Sequence, residues 1–131
     1  MTPTSIFKSG LGPGAANLAP LTPLSFLPRS AAIYPDRPAI IYGERRVTFR
    51  EFHVRARRLA SALAARGIGE GDTVSVVLPN VPAMLDVHHG VPMLGAVLNA
   101  INTRLDARSI AYILAHGEAK VLVTDREFSA K

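Results

Sequence analysis

The densest patterning of apolar and polar positions lies between residues 71 and 105. Thr73 to Leu78 is an apolar, β-branched run behind the turn dipeptide Gly71-Asp72, which predicts a strand. Pro79-Asn80 stops it. Asn80 is placed to cap the helix that follows, with Pro82 tolerated in its first turn. Pro92 cannot donate to the carbonyl of His88, so a kink near Gly90-Val91 is expected. Gly95 then interrupts the helical pattern, and Ala96 to Ile101 reads as a second buried strand. Strand, helix and strand make one βαβ unit, which implies a parallel sheet.

The flanks extend this unit in both directions. Residues 1–20 mix Gly, Pro, Ser, Thr and Asn without periodicity and read as a flexible lead-in; residues 21–131 read as one incomplete domain. Thr22 can cap a first helix with Pro23 at its first position and Leu24, Leu27 and Ala31 on one face. Pro28 bends that helix or delays its start, and the prolines of Tyr34-Pro35-Asp36-Arg37-Pro38 end it. Ala39 to Tyr42 and Arg46 to Phe49 form a hairpin through Gly43-Glu44-Arg45. Thr48-Phe49-Arg50-Glu51 matches a capping box, so the hairpin feeds into a helix running to about Arg66. Its buried stripe is Phe52, Ala56, Leu59 and Leu63, with Arg50, Arg57 and Ser61 towards solvent, Gly67 as C-cap and a turn over Ile68 to Gly71. Beyond residue 105, Asp106 caps a helix burying Ile110, Ile113 and Leu114, Gly117 closes it, and Ala119 to Val123 is a third apolar strand. The fold class is therefore α/β: an amino-terminal helix and hairpin, a second helix, then a βαβαβ parallel layer of a doubly wound sheet.

Composition narrows the chemistry. The 131 residues are 48% hydrophobic and 19% charged, enough to bury a core and too apolar for wholesale disorder. Fifteen Lys and Arg against ten Asp and Glu give a net charge of +5. No aromatic side chains interleave with the helix-face arginines to stack bases, so they read as a solvated face and no nucleic-acid partner is expected. The absence of cysteine excludes disulfides, thiolate metal sites and cysteine nucleophiles. No stretch is long and apolar enough to span a bilayer, and the first residues lack a signal-peptide core. A cytoplasmic protein without a transmembrane segment is the expectation. His88 and His89, adjacent on a helix, point about 100° apart, and His53 and His116 lie far off, so no metal ligands are assigned. Gly10-Leu11-Gly12-Pro13-Gly14 follows no strand, and Pro13 removes a backbone donor that a phosphate loop would use. Gly67, Gly69 and Gly71 precede a strand, whereas a dinucleotide fingerprint follows one.

Five stretches in order carry a resemblance: PLTPLSFL (20–27), YPDRPAIIYGERRVTFREF (34–52), GDTVSVVLPNVPAM (71–84), GVPMLGAVLNAINTRL (90–105) and IAYILAHGEAKVLVTD (110–125). Together they resemble the amino-terminal part of AMP-forming acyl-CoA synthetases of the adenylate-forming superfamily. HHGVPMLGAVLNAINTRL points to the branch acting on fatty and medium-chain acids. Two positions depart from the pattern: Pro28, where a charged residue is commoner, and His89, where this branch usually has an aromatic.

The resemblance implies a partial amino-terminal subdomain of an ATP-dependent ligase. Such an enzyme converts a carboxylic acid, here a fatty acid, into an acyl-adenylate and passes the acyl group to coenzyme A. ATP, Mg2+ and coenzyme A are its implied cofactors, and the remainder of the ligase chain is its implied partner. In that family the Gly/Ser/Thr-rich phosphate loop, the adenine contacts, the magnesium-binding acid, the hinge and the carboxy-terminal lysine all come later in the chain. No catalytic, cofactor-binding or metal-binding residue is therefore assigned between residues 1 and 131, and the chain alone is expected to be inactive. The alternative is a non-catalytic α/β interaction module, whose uncovered strand edges and helix faces would invite a partner.

Overall fold

The computed structural model describes Leu18 and residues 22–130. The Gly10–Gly14 stretch, and all of the expected lead-in except Leu18, lie outside the described residues. Helix α1 is Pro23–Ile33. Thr22 starts it: its hydroxyl accepts from the Leu24 N–H at 3.2 Å, and Pro23 sits where a missing donor does no harm. Pro28 lies inside the helix and does not delay its start. Its ring is exposed, while Leu27 beside it is buried against the hairpin and α2, and this anchor together with the cap offsets one lost bond.

Strands β1 (Pro38–Tyr42) and β2 (Arg45–Thr48) pair antiparallel, with buried Ile40 opposite buried Val47. Tyr42 pairs with Arg45, so the turn is Gly43-Glu44 alone, one residue tighter than expected; Gly43 supplies the positive φ of 56°. Thr48 then caps α2 (Phe49–Ala64) in a complete capping box. Its hydroxyl accepts from the Glu51 N–H at 3.2 Å, and the Glu51 carboxylate accepts from the Thr48 N–H at 2.8 Å. Phe52, Ala56, Ala60 and Leu63 form the buried stripe, with Leu59 only half-buried at its margin. The α-helix ends at Ala64 rather than Arg66, and Gly67, at φ 80°, turns the chain towards the sheet.

The sheet contains β3 (Thr73–Val77), β4 (Val97–Ala100) and β5 (Ala119–Thr124), all parallel, in the order β4-β3-β5. Because side chains alternate along a strand, β3 serves two cores. Val74, Val76 and Leu78 pack with Leu63 and with Val87 and Val91 on one face, and Val77 packs with Ile101 and Ile110 on the other. Helix α4 (Ala107–His116) lies on that second face, capped by Asp106, whose carboxylate accepts from the Ser109 N–H at 2.7 Å.

Three expectations need correction. Asn80 does not cap α3 (Pro82–Gly90); Val81 is the cap residue, with no side-chain bond, because Pro82 occupies the first position and displaces the start by one residue. The helix does not kink and continue. It ends at Gly90, and Pro92–Leu94 forms a 3₁₀ turn closed by Gly95 at φ 72°. Strand β4 is an edge strand with Val97 exposed and Leu98 half-buried against the core, and full burial is confined to its flanks, Ala96 and Ile101.

Gly90 marks the closest approach of α3 to α2. A Cβ there would stand 2.9 Å from the Ala56 carbonyl oxygen and 2.9 Å from Leu59 Cδ2, and the backbone atom cannot yield. Gly90→Ala is expected to destabilise by about 1–2 kcal/mol, the overpacking penalty less a helix-propensity gain. A urea midpoint unchanged from wild type would refute the contact.

Candidate functional site

In an open parallel sheet, ligands bind where consecutive crossovers leave towards opposite faces, at the carboxyl ends of the strands. That place is between β3 and β4. The segment Leu78 to Val81 leads to α3 on one face, and Asn102 to Asp106 leads to α4 on the other. The residues there are modest in chemistry. Pro79 has no N–H, Asn80 is exposed, and the Asn102 side chain already accepts from the Arg104 N–H at 2.9 Å. Beside the crevice a groove of about 280 Å³ runs between the hairpin and α3, lined by Ile40, Ile41, Tyr42, Val81, Pro82, Met84 and Leu85 with Asn80 as its single amide. This arrangement offers apolar contact, one amide and the Tyr42 phenol. It contains no carboxylate or imidazole and no cradle of backbone donors for phosphate.

Three of the four histidines are engaged structurally. His88 and His89 each place Nδ1 on the carbonyl four residues back, Met84 at 2.7 Å and Leu85 at 3.2 Å, and His89 sets its ring edge-on to Phe52 at 4.9 Å. His116 stacks on Tyr112 at 5.6 Å. Among the described residues no three His, Asp or Glu side chains gather as a metal site, and no helix is long and apolar enough to cross a membrane.

One pair escaped the sequence reading. Arg55 on α2 grips Asp86 on α3 with both arms, its Nε donating to Oδ1 at 3.1 Å and its Nη2 to Oδ2. The hydrogen bond to Asp86 holds the guanidinium above its ordinary pKa. Asp86 shares a helix face with Ala83, Val87 and Gly90, and an acid on a buried face signals a required cation. The sequence could not say which of the α2 arginines supplies it.

Two carboxylates, Asp72 half-buried and Glu51 exposed, make stability depend on pH. Lys120 at 2.6 Å and the Gly69 N–H at 2.9 Å hold Asp72 below the ordinary carboxylate range, and the Thr48 N–H and hydroxyl do the same for Glu51. The folded chain binds these protons more weakly than the unfolded one. Their stabilisation is thus fully present above the unfolded values of about 4 and is lost as pH falls through the lower folded values. The melting temperature should be level from pH 7 to about 5 and then decline, with a shallower acid limb in Asp72→Asn. An acid limb identical to that of wild type would contradict the Asp72 assignment.

The profile of a family described as AMP-binding enzyme matches residues 27–131. Over 113 residues, 86% of the chain, the sequence is 51% identical to the peroxisomal acetate/butyrate–CoA ligase AAE7 of Arabidopsis thaliana, of which it covers 20%. It is 52% identical over 115 residues to the peroxisomal benzoate–CoA ligase of the same plant, again covering 20%. The crystal structure of a putative long-chain-fatty-acid CoA ligase from Rhodopseudomonas palustris superposes with a TM-score of 0.79 at 34% identity, over 84% of this chain and 28% of that one. The chain thus spans about a fifth of the length of the curated relatives it matches.

Proposed function

Since the chain belongs to the AMP-binding enzyme family, we propose that it serves as the amino-terminal scaffold of an acyl-CoA ligase. That ligase activates a carboxylic acid, a fatty acid in this reading, with ATP through an acyl-adenylate, and transfers the acyl group to coenzyme A. The observation that carries the proposal is identity above 50% to ligases named for this chemistry, sustained over 113 residues. ATP, magnesium and coenzyme A belong to the reaction. Nothing among the described residues forms a phosphate cradle or a metal cluster, so their binding groups are assigned to sequence beyond this chain. The roles left for residues 21–131 are to hold a parallel layer in place and to present surfaces to the rest of the ligase.

The surfaces that suit this role are the free edge of β5 and a shallow groove of about 290 Å³ beside it, floored by Leu59, Ala83, Val87 and Val123. The same surfaces would serve a non-catalytic interaction module, the second reading. The encoding DNA separates the two. Past Lys131 it should continue in frame into a Ser/Thr- and Gly-rich loop, and absence of that loop in every frame would leave only the interaction module. The cytoplasm remains our expected location. The names of the Arabidopsis relatives make the peroxisome the competing one, and a punctate peroxisomal signal from a fluorescent fusion would decide for it.

A further inference from the structure

We infer that the outer face of α4 is a docking surface for an acidic amphipathic helix of a partner protein. Ile110 anchors α4 to the sheet, with Ile113 and Leu114 beside it. At about 100° per residue, Arg108, Ala111, Tyr112, Ala115 and His116 then fall on the opposite side, and all five are exposed. Tyr112, at 67%, is the most exposed large apolar side chain among the described residues. His116 stacks on it with the ring planes 5° apart, which orients the phenol before any partner arrives.

The charge of this face is one-sided. Helix α4 contains no acid, and Arg104 in the crossover before it adds a second guanidinium. Neither Arg104 nor Arg108 takes part in an ion pair among the described residues. Asp106 and Asp125 cap their own turns, Lys120 pairs with Asp72, Glu118 follows the helix, and Glu127 has Arg126 beside it in sequence. A second copy of this chain would present the same cations and be repelled, so the complementary partner is acidic. Its shape is that of a helix. Ala111 and Ala115 form a low row beside the ridge of Arg108, Tyr112 and His116, and the ridge of another helix packs into such a row. A bilayer would need aliphatic chains longer than alanine, and a base would need an open ring, one face of which His116 already covers. This surface is also separate from those given to the rest of the ligase, because α4 covers the sheet face opposite Leu59, Val87 and Val123. The inference therefore does not rest on the ligase reading.

The test is selection of a phage-displayed library of helical peptides on the full chain, with the affinity of the enriched peptides then read by fluorescence anisotropy. The enriched sequences should carry Asp or Glu at i, i+4 spacing beside an alanine and leucine face, and their binding should weaken with added salt. Arg104→Glu/Arg108→Glu should weaken it at least about tenfold, and Tyr112→Ala at least about fivefold. Arg57→Glu/Arg58→Glu, the same charge change on α2, should leave it nearly unchanged. If the glutamate variant fails to fold, Arg104→Gln/Arg108→Gln must move affinity in the same direction. No enrichment, enrichment of neutral or basic peptides, or equal losses in the two arginine pairs would overturn the proposal. So would tighter binding of single-stranded DNA with the same dependence on Arg108 and Tyr112.

Discussion

Replacing Arg55 with alanine is expected to lower stability by about 3 kcal/mol, because it strands a carboxylate between two helices. Asp86 is a buried acid, only 8% exposed, and its two oxygens are taken by Arg55. Removing one partner of a buried pair leaves the other desolvated and uncompensated, an effect of about 3–5 kcal/mol, placed here at the low end because Arg55 itself is partly exposed. The converse change should be milder. In Asp86→Ala the long Arg55 side chain can swing to solvent, so a loss of about 1 kcal/mol is expected. Replacing both by leucine should recover most of the stability, since a packed apolar pair avoids the desolvation of two charges. Urea unfolding of the three variants decides it. Equal losses in the two single variants would show that Asp86 is more accessible than its burial indicates.

The second large effect is expected at Phe52. Its ring joins α1, the hairpin and α2 through Leu27, Ile40 and Val47, and meets His89 of α3 at its edge. Phe52→Ala removes a buried aromatic from a cluster that can collapse only partly, and should destabilise by about 3–5 kcal/mol. Phe52→Leu keeps most of the volume and should lose less than about 1.5 kcal/mol. Hydrogen exchange locates the damage. Amides of β1 and β2 should exchange faster in Phe52→Ala while those of β3 stay protected, because β3 belongs to a separate cluster around Val74 and Val76. Uniform acceleration across both sheets would mean that the two clusters unfold as one.

Signals that act within a few residues were readable from the chain. The Thr48–Glu51 capping box, the Thr22 and Asp106 caps and the apolar run of β3 each depend on neighbours in sequence, and the structure places all of them as expected. Two local signals misled, the Asn80 cap displaced by Pro82 and the helix end at Gly90 read as a kink; the other failures depend on partners far along the chain. Gly90 was read only as part of a kink, yet it is where α3 presses on Ala56. Arg55 and Asp86 are thirty-one positions apart, and several arginines on α2 could have been the partner. Whether Ala96 to Ile101 would be central or marginal depended on strand order, which no local pattern encodes.

The candidate site divides in the same way. The family was legible because five stretches follow one another in the right order. The reaction was not, because the crevice between β3 and β4 is furnished with Pro79, Asn80 and a largely apolar groove rather than carboxylates, imidazoles or phosphate donors. The glycines that first invited a nucleotide reading act as turn residues. Gly67 and Gly71, at φ 80° and 79°, lie ahead of β3 and not at its carboxyl end. On the proposed function, the βαβ unit from Gly71 to Leu105 supports chemistry carried by residues outside this chain.

Pyrophosphate release by the purified chain tests that claim most directly. Given ATP, magnesium, coenzyme A and octanoate, the chain should release none above the protein-free rate. Release that saturates with both ATP and the acid would contradict the account and place the missing groups among these residues.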